Sequence, residues 1–387
     1  MFEVRKLNNI SEEKIKLLPK ELYNVSDNVE EADAMILRSY KMHGMELPKS
    51  LKAVARAGAG VNNIPLDDCT DKGIVVFNTP GANANGVKEL VLASLFLSSR
   101  KITKGVNWIK GQNGTGQDIP KLVEKGKSQF AGPEIKGKKL GVIGLGAIGA
   151  MVANDALALG MEVEGYDPFI SVDAAWGLSC SVIKETSLDN LLATCDYITI
   201  HIPLNEKTKG LINKDKFAIM KKGMRIINLA RGGILVKEDL IEALGNGTVS
   251  TYVTDFPQEE YLTIDNVITI PHLGASTPES EENCASMAVE ELRDFLENGN
   301  ITNSVNFPNC SLPHSGNTRV IIGNKNVPNM VGQITTILAQ GNINIATMIN
   351  RHSGTVGYNI IDIEGEITED IILKLKSVEG ILMVRVI

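Results

Sequence analysis

The chain lacks the features that mark secreted and membrane proteins. None of its apolar runs approaches the length of a transmembrane helix, and its first residues, MFEVR, do not open a signal peptide. Its five cysteines are scattered without a C-x-x-C pair, which argues against a disulfide framework and a zinc site. We therefore expect a cytoplasmic protein without a metal.

Positive charge is also scarce. The 387 residues include 39 lysines and arginines against 46 aspartates and glutamates, a net charge of −7. This balance argues against nucleic acid or an anionic membrane as a partner. The hydrophobic content of 43% is ordinary for a soluble globular protein, and the length allows two or three domains.

What the sequence does contain is a glycine motif at the end of an apolar segment. Gly144, Gly146 and Gly149 form G-x-G-x-x-G between a predicted strand over 140–143 and a predicted helix over 147–159. The first glycine permits a tight turn, the second lets a pyrophosphate approach the backbone, and the third lets helix and strand pack closely. Free N–H groups at the helix N-terminus attract phosphate. The motif predicts a dinucleotide site; the alternative is a glycine-rich turn without a ligand.

Asp167 supports the first reading of this motif. It follows a second predicted strand, over 161–166, and lies eighteen residues after Gly149. A carboxylate at this place can hydrogen-bond the hydroxyls of the adenosine ribose and repel a 2′-phosphate. We therefore predict that the cofactor is NAD rather than NADP.

Strands and helices alternate along most of the chain, which is typical of βαβ units and parallel sheets. A small α/β region precedes the glycine motif, a long apolar helix is predicted over 85–101, and segment 111–129 is predicted to be a surface loop. Residues 318–387 differ, because their order βαββαβ is typical of a ferredoxin-like domain. The cofactor region has the strand count of a doubly wound sheet, with strands predicted at 140–143, 161–166, 196–201, 224–229, 249–254 and 267–270.

Three polar stretches, at 228–233, 254–260 and 271–277, follow strand ends in the cofactor region. Ligands of open α/β sheets bind outside the carboxyl ends of the strands, so these loops are expected to converge on one crevice. Oxidation of a 2-hydroxy acid needs a base, a cation for the carboxylate and a hydride acceptor. His272 can be the base, because imidazoles titrate near neutrality, and Arg231 can hold a carboxylate through a bidentate pair. The alternative is a surface arginine, an acidic loop and a capping histidine.

These stretches resemble the D-2-hydroxyacid dehydrogenase family, and within it the members that act on 3-phospho-D-glycerate. The resemblance covers nearly the whole chain and includes the glycine motif and segments 56–58, 61–63, 78–83, 87–90, 228–233 and 271–277. It implies NAD-dependent oxidation of 3-phospho-D-glycerate to 3-phosphohydroxypyruvate, the first step of L-serine biosynthesis. The alternatives are another D-2-hydroxy acid, such as lactate or glycerate, and a non-catalytic NAD sensor.

The resemblance also assigns a catalytic trio. The family's arginine, glutamate and histidine fall on Arg231, Glu260 and His272, because the intervals from Arg231 to Asp255 and from Asp255 to Glu260 match without a gap. The family usually has a proline after the glutamate, where this chain has Tyr261. An alignment on 256–257 would select Glu259 instead, so both glutamates stay open as the partner of His272.

The remaining site residues are also implied by the resemblance. Asp255 would contact the nicotinamide carboxamide, and three residues match positions that face the substrate, namely Arg38, Ser39 and Asn83. The cofactor would be held by Gly144, Gly146, Ala147, Ile148, Gly149, Asp167, Ile202, Leu229, Ala230, Arg231, Asp255, His272, Gly274 and Ala275.

The implied fold is α/β with three domains. A Rossmann-like, doubly wound cofactor domain over 96–275 would be inserted in a flavodoxin-like substrate domain over 1–95 and 276–305. Residues 316–387 would form a ferredoxin-like ACT domain, a small ligand-sensing module.

The predicted ACT domain has Asn329 where the family usually has a glycine. Three asparagines, Asn324, Asn326 and Asn344, are expected at adjoining strand–loop positions, where their amides could bind an amino acid such as L-serine. The alternative is a domain that only mediates assembly. In either case we expect a homodimer or a homotetramer.

Overall fold

The computed structural model describes residues 1–8 and 10–387. The chain divides into two compact units. Unit 1 contains Met1–Asn83 and Glu281–Ile387, and unit 2 contains Ala84–Ser280. The divisions thus fall at 83/84 and 280/281, whereas the sequence placed the limits of the cofactor domain at 96 and 275.

The first part of unit 1 is a parallel sheet whose strands are short and almost entirely apolar. The strands run in the order β2-β1-β3-β4-β5, which is the flavodoxin-like order. The elements are β1 (Phe2–Lys6), α1 (Glu12–Ile15), β2 (Tyr23–Ser26), β3 (Ala34–Leu37), β4 (Ala53–Arg56), α2 (Leu66–Asp71) and β5 (Val75–Phe77).

Unit 2 is a doubly wound parallel sheet of seven strands, ordered β12-β11-β10-β9-β6-β7-β8. The order reverses between β6 and β9, and such a reversal places ligands at the carboxyl ends of the strands. Short 3₁₀ turns lie at Lys127–Phe130, Gly232–Ile234 and Glu259–Thr263. The elements are α3 (Ala84–Ser99), α4 (Ile102–Lys110), α5 (Ile119–Gly126), β6 (Lys139–Ile143), α6 (Ala147–Ala158), β7 (Glu162–Tyr166), α7 (Val172–Trp176), β8 (Ile183–Lys184), α8 (Leu188–Thr194), β9 (Tyr197–Ile200), α9 (Lys214–Ile219), β10 (Met224–Asn228), α10 (Lys237–Gly245), β11 (Val249–Thr254) and β12 (Val267–Thr269).

The chain then returns to unit 1 through a long helix and ends in an antiparallel sheet. This sheet has the order β14-β15-β13-β16, and its βαββαβ connectivity is the ferredoxin-like arrangement, compatible with an ACT domain. The elements are α11 (Pro278–Asn298), β13 (Thr318–Lys325), α12 (Met330–Gln340), β14 (Asn344–Ser353), β15 (Val356–Glu364), α13 (Glu369–Lys376) and β16 (Ile381–Val386). The fold class expected from the sequence is therefore confirmed.

Within unit 1 the two sheets share one hydrophobic core, which is centred on α11. Phe295 of α11 packs against Phe77 of the parallel sheet, with ring centroids 5.6 Å apart, and the guanidinium of Arg385 lies 4.6 Å from the centroid of the Phe295 ring. Arg385 also donates to the carbonyls of Phe295 and Leu296, at the end of the helix where carbonyls lack partners. The antiparallel sheet is thus packed on the parallel-sheet part of unit 1.

A buried ion pair stabilises the junction between the antiparallel sheet and α11. Arg319 and Asp362 pair bidentately across β13 and β15 at 2.6 and 3.0 Å, and the side chain of Arg319 is fully buried. Its remaining N–H groups donate to the carbonyls of Asn298, Leu312 and Pro313. Burial alone would raise the pKa of Asp362, but the hydrogen bonds from Arg319 and Ser315 hold it below its ordinary value. The segment between α11 and β13 is therefore held in place by hydrogen bonds from Arg319.

The structure corrects the predicted element list in unit 2 and at the edge of unit 1. The segment predicted as a surface loop over 111–129 contains α5, whose first turn is capped by the Asp118 side chain accepting from Lys121 N–H. Two short edge strands, β2 and β8, were not predicted.

Among residues 1–8 and 10–387, no helix is long and apolar enough to cross a membrane.

Candidate active site

The turn between β6 and α6 has the shape that its three glycines predict. Gly144 has φ +89°, and a Cβ there would lie 2.7 Å from the carbonyl oxygen of His201. A Cβ at Gly149 would lie 1.9 Å from the carbonyl oxygen of Gly144, so any side chain would push the helix off the strand. At Gly146, the N-cap of α6, no described atom comes within 4 Å of such a Cβ. The turn is therefore closed on the protein side and open where a pyrophosphate would approach.

Asp167 lies beside this turn at the carboxyl end of β7. Its two carboxylate oxygens accept hydrogen bonds from the backbone N–H groups of Leu145 and Phe169, each at 2.8 Å. The first bond ties the carboxylate to the glycine turn itself. Asp167 is half-buried, so it remains partly accessible to a ligand.

The strands on the other side of the reversal end in tightly bonded loops. Asn228, fully buried at the end of β10, donates from its amide to the carbonyl of Arg231 and accepts from the N–H of Ala230. This side chain shapes the turn that presents residues 229–231, a role that the sequence pattern does not predict. His201, next to Ile202, hydrogen-bonds Thr199, and burial lowers the pKa of its imidazole to about 4. It is therefore neutral, as a packing histidine would be.

Arg231 and His272 are brought together around one aromatic ring. The guanidinium carbon of Arg231 lies 5.9 Å from the ring centroid of Phe256, and the His272 imidazole centroid lies 4.8 Å from it. His272 has φ +40°, held by hydrogen bonds from its N–H to the carbonyls of Asp255 and Ile270. Both side chains are exposed. Phe256, which the sequence did not single out, is the platform for the cation and the imidazole.

Asp255 lies behind this platform with an unsatisfied oxygen. The residue is 1% exposed; Oδ2 accepts from the N–H of Gly274 at 3.3 Å, while Oδ1 has no hydrogen-bond partner in the described part of the chain. Burial raises the pKa of this carboxyl group above its ordinary value, an effect that the charge of His272 opposes. A buried lone acceptor is costly, so the site suits a ligand that brings an N–H donor. The carboxamide of a nicotinamide is such a donor.

Glu260 does not join this group. Its carboxylate pairs with Lys237 at the start of α10, with Oε1 and Nζ 2.5 Å apart, and this hydrogen bond lowers the pKa of Glu260. Across residues 1–8 and 10–387, no hydrogen bond or ion pair joins Glu259 or Glu260 to His272. The structure thus brings together two members of the implied trio and directs the third towards Lys237.

The three residues implied to face the substrate belong to unit 1. Arg38 forms an ion pair with Glu281 at 2.7 Å, and Ser39 accepts a hydrogen bond from the amide of Asn8. Asn83 is half-buried at the last position of the first segment of unit 1. Arg231 and His272 belong to unit 2.

The expectation that three asparagines adjoin in the C-terminal domain is wrong for Asn344. On β15, Asn344 pairs with Glu364, whereas Asn324 pairs with Gly357, seven residues away along the strand. Seven residues of strand span about 23 Å. Asn324 is also buried, and its amide is occupied by Lys325 and Asn359. Of the three asparagines, Asn326 is the one that is exposed near the β14–β15 turn. The substitution at Asn329 changes little in the backbone, because its φ of +68° is one that asparagine tolerates.

The fold and the glycine turn define a dinucleotide-binding α/β protein, and comparison with known proteins gives its family. Residues 92–274 match the family model described as D-isomer specific 2-hydroxyacid dehydrogenase, NAD binding domain. The D-3-phosphoglycerate dehydrogenase of Haemophilus influenzae is 33% identical over 355 residues, which cover 89% of this chain and 83% of that enzyme. The chain belongs to the D-2-hydroxyacid dehydrogenase family, and its cofactor is NAD.

Two further relatives share less of their length with the chain. The D-3-phosphoglycerate dehydrogenase of Methanocaldococcus jannaschii is 33% identical over 84% of this chain, which spans 60% of that enzyme. For the Bacillus subtilis enzyme the identity is 35% over 76% of this chain and 55% of the relative. A solved structure of NAD⁺-bound 3-phosphoglycerate dehydrogenase from Entamoeba histolytica is 26% identical, with a TM-score of 0.60, and covers 79% of this chain and 98% of its own.

The position of Asp167 makes a prediction about cofactor choice. We expect a higher specificity constant with NAD than with NADP, because a fixed carboxylate would repel a 2′-phosphate. Asp167→Ala should narrow the gap, and kinetics with both cofactors measure it. Asp173→Ala, an exposed acid on the following short helix, is the matched control. Preference for NADP in the unaltered protein would contradict the prediction.

Proposed function

We propose that the protein oxidises 3-phospho-D-glycerate to 3-phosphohydroxypyruvate with NAD. The observation that carries the proposal is the placement of Arg231 and His272 against the same ring, that of Phe256, at the same sheet edge as the glycine turn. The substrate is inferred from the relatives, since those in Haemophilus, Methanocaldococcus and Bacillus are all named D-3-phosphoglycerate dehydrogenase.

In this proposal the protein holds the cofactor by backbone and by two carboxylates. The turn from Gly144 to Gly149 would hold the pyrophosphate, Asp167 the ribose, and Asp255 the nicotinamide carboxamide. The bound cofactor supplies the hydride acceptor.

The protein's own part in the chemistry is to bind an anion and to move a proton. The guanidinium of Arg231 would pair bidentately with the carboxylate of the hydroxy acid. The imidazole of His272 would take the hydroxyl proton as the alcohol becomes a ketone, and would return it in the opposite direction. Arg38, Ser39 and Asn83 are proposed to bind the remainder of the substrate.

A substrate comparison tests the function. NADH oxidation with 3-phosphohydroxypyruvate should exceed that with hydroxypyruvate or pyruvate in kcat/KM. A preference for an unphosphorylated acid would assign the chain to another reaction of the same family. Tight NADH binding without turnover of any of the three would support a non-catalytic NAD sensor instead.

The role of His272 gives a second kinetic prediction. His272→Ala should lower kcat by about 10²-fold or more, the typical contribution of acid–base catalysis, while NADH binding persists. His201→Asn serves as the control, because that imidazole is neutral and bonded to Thr199. A variant of His272 with full kcat would exclude the residue from proton transfer.

A separate comparison of Glu259→Gln and Glu260→Gln identifies the acidic partner of His272. The partner is the glutamate whose substitution shifts the pH–rate profile.

We also propose that L-serine binds the C-terminal domain and lowers activity. Support comes from a βαββαβ domain that contributes none of the proposed cofactor or catalytic residues and that is packed on α11. Its exposed asparagine, Asn326, donates to the carbonyl of Gly354 at the β14–β15 turn.

Serine should lower the rate of the intact chain and raise its thermal midpoint, because a ligand that binds only the folded state stabilises it. D-serine is the control. Unchanged rate and midpoint at millimolar L-serine would leave the domain with a role in assembly alone. The intact chain is required, because removal of residues 316–387 would expose the core around Phe295.

A homo-oligomer is the remaining part of the proposal. Helices α4 and α5 are both amphipathic, yet every residue in them is at least partly exposed, including Ile102, Val106 and Ile119. Such apolar faces are suited to a second copy of the chain.

A further inference from the structure

A buried carboxyl group on α11 has no part in the chemistry described above. Glu291 is 7% exposed, although it belongs to a residue type that is seldom buried unless paired. Its Oε1 accepts a hydrogen bond from the amide of Asn303 at 2.7 Å, while Oε2 is buried without a partner among the residues described. The group is therefore half satisfied, which favours its neutral, protonated form.

The partner of Glu291 leads to a loop of the proposed substrate site. Asn303 has φ +58°, and its carbonyl accepts from the N–H of Asn78, the first residue after β5. The neighbouring Ser304 forms a β-bridge with Phe77, the last residue of β5. A turn held by Glu291 thus extends the sheet at the place where loop 78–83 begins.

Loop 78–83 is itself bonded to another loop of unit 1. The amide of Asn78 donates to the carbonyl of Ala59 at 2.6 Å, and the hydroxyl of Thr79 accepts from the N–H of Gly58 at 2.8 Å. The loop ends at Asn83, one of the residues proposed to face the substrate. A change in the Asn303 turn would therefore reach Asn83 through the backbone of a single short loop.

We propose that Glu291 is a positioning residue: its protonated carboxyl group holds the Asn303 turn and loop 78–83, and its ionisation loosens both. A bare carboxylate oxygen needs a donor or water, and water reaches it only if the turn moves away. The expected effect of Glu291 on substrate binding rests on the proposed function, whereas the expected effect of Glu291 on loop 78–83 does not.

The titration of Glu291 falls in an accessible pH range. Burial raises the pKa of its carboxyl group from the ordinary 4.5 to about 8, the Asn303 hydrogen bond opposes this, and the charge of Glu290 adds to it. The amide of Asn303, which contacts Glu291 from the segment beyond α11, is neutral. Because the folded state keeps a proton that the unfolded chain has lost, stability falls as pH rises from about 4.5 to about 8 and the loss is complete above that.

The test compares Glu291→Gln with the wild type. Glutamine keeps the acceptor for Asn303 and cannot ionise. Glu290→Gln, which alters an exposed acid one residue away, is the control: it should keep the fall in stability with pH, although it removes a charge that raises the pKa of Glu291. The thermal midpoint of the wild type should fall relative to that of Glu291→Gln between pH 5 and 8, and the gap should stay constant above pH 8. If the glutamine variant does not fold, Glu291→Met replaces it in the comparison. Methionine also cannot ionise, so the wild-type thermal midpoint should fall relative to that of Glu291→Met over the same pH range.

Two further measurements follow the loop. In hydrogen exchange, peptides covering 75–83 should exchange faster in the wild type than in Glu291→Gln at pH 9 and alike at pH 6. The KM for 3-phosphoglycerate in the wild type should rise about two- to tenfold between pH 7 and 9 relative to the variant, the factor expected for one lost hydrogen bond. The kcat ratio should stay constant.

The outcomes are distinct. Equal thermal profiles in wild type and variant would show that Glu291 does not titrate as proposed. Diverging midpoints with identical exchange of 75–83 would refute the connection to the loop. If 3-phosphoglycerate is not a substrate, the proposed function fails, whereas the midpoint and exchange results still decide the inference.

Discussion

The contact on which the site depends is the close approach of α6 to β6. The 1.9 Å that would separate a Cβ at Gly149 from the carbonyl of Gly144 leaves no room for a side chain at that position. This approach aims the N-terminus of α6 at the open space beside Gly146, and the N–H of Leu145 in the same turn fixes Asp167. Where one helix packs closely on one strand, both the phosphate end and the ribose end of the cofactor site are determined together.

The sequence predicted the parts of the fold that have strong periodicity and failed where the signal is short. The central strands β6, β9 and β10 are buried apolar runs, and the sequence predicts the ends of each to within one residue. The edge strand β8 has only two residues, both exposed, so no hydrophobic pattern marks it. The loop prediction at 111–129 is wrong over α5: the Gly, Lys and Gln content of the segment is typical of a loop, but the cap at Asp118 and the proline that follows it mark the start of a helix.

The placement of candidate site residues follows from the sequence where backbone position determines it, and does not where side-chain direction determines it. His272 and Arg231 end on the same platform because both follow strand ends of one parallel sheet. Glu260 is at the right interval, yet its carboxylate turns to Lys237, twenty-three residues earlier in the chain. Asn344 was misplaced for another reason, since its position depends on the register of β14 and β15, which residue type does not reveal.

Unit 1 buries two ionisable groups in different ways, and the difference separates a structural group from a responsive one. Arg319 meets a bidentate carboxylate and three carbonyls, so its charge is fully paired and the junction it holds changes little in the neutral pH range. Glu291 has one donor for two oxygens, so the fold around it favours the protonated form and the deprotonated form strains the same contacts. Both groups lie along α11 or at its end, the helix that joins the two sheets of unit 1. The Arg319–Asp362 pair holds the end of α11 where the C-terminal domain attaches. Glu291, further along the helix, makes the contact with the Asn303 turn, and through it the start of loop 78–83, dependent on pH.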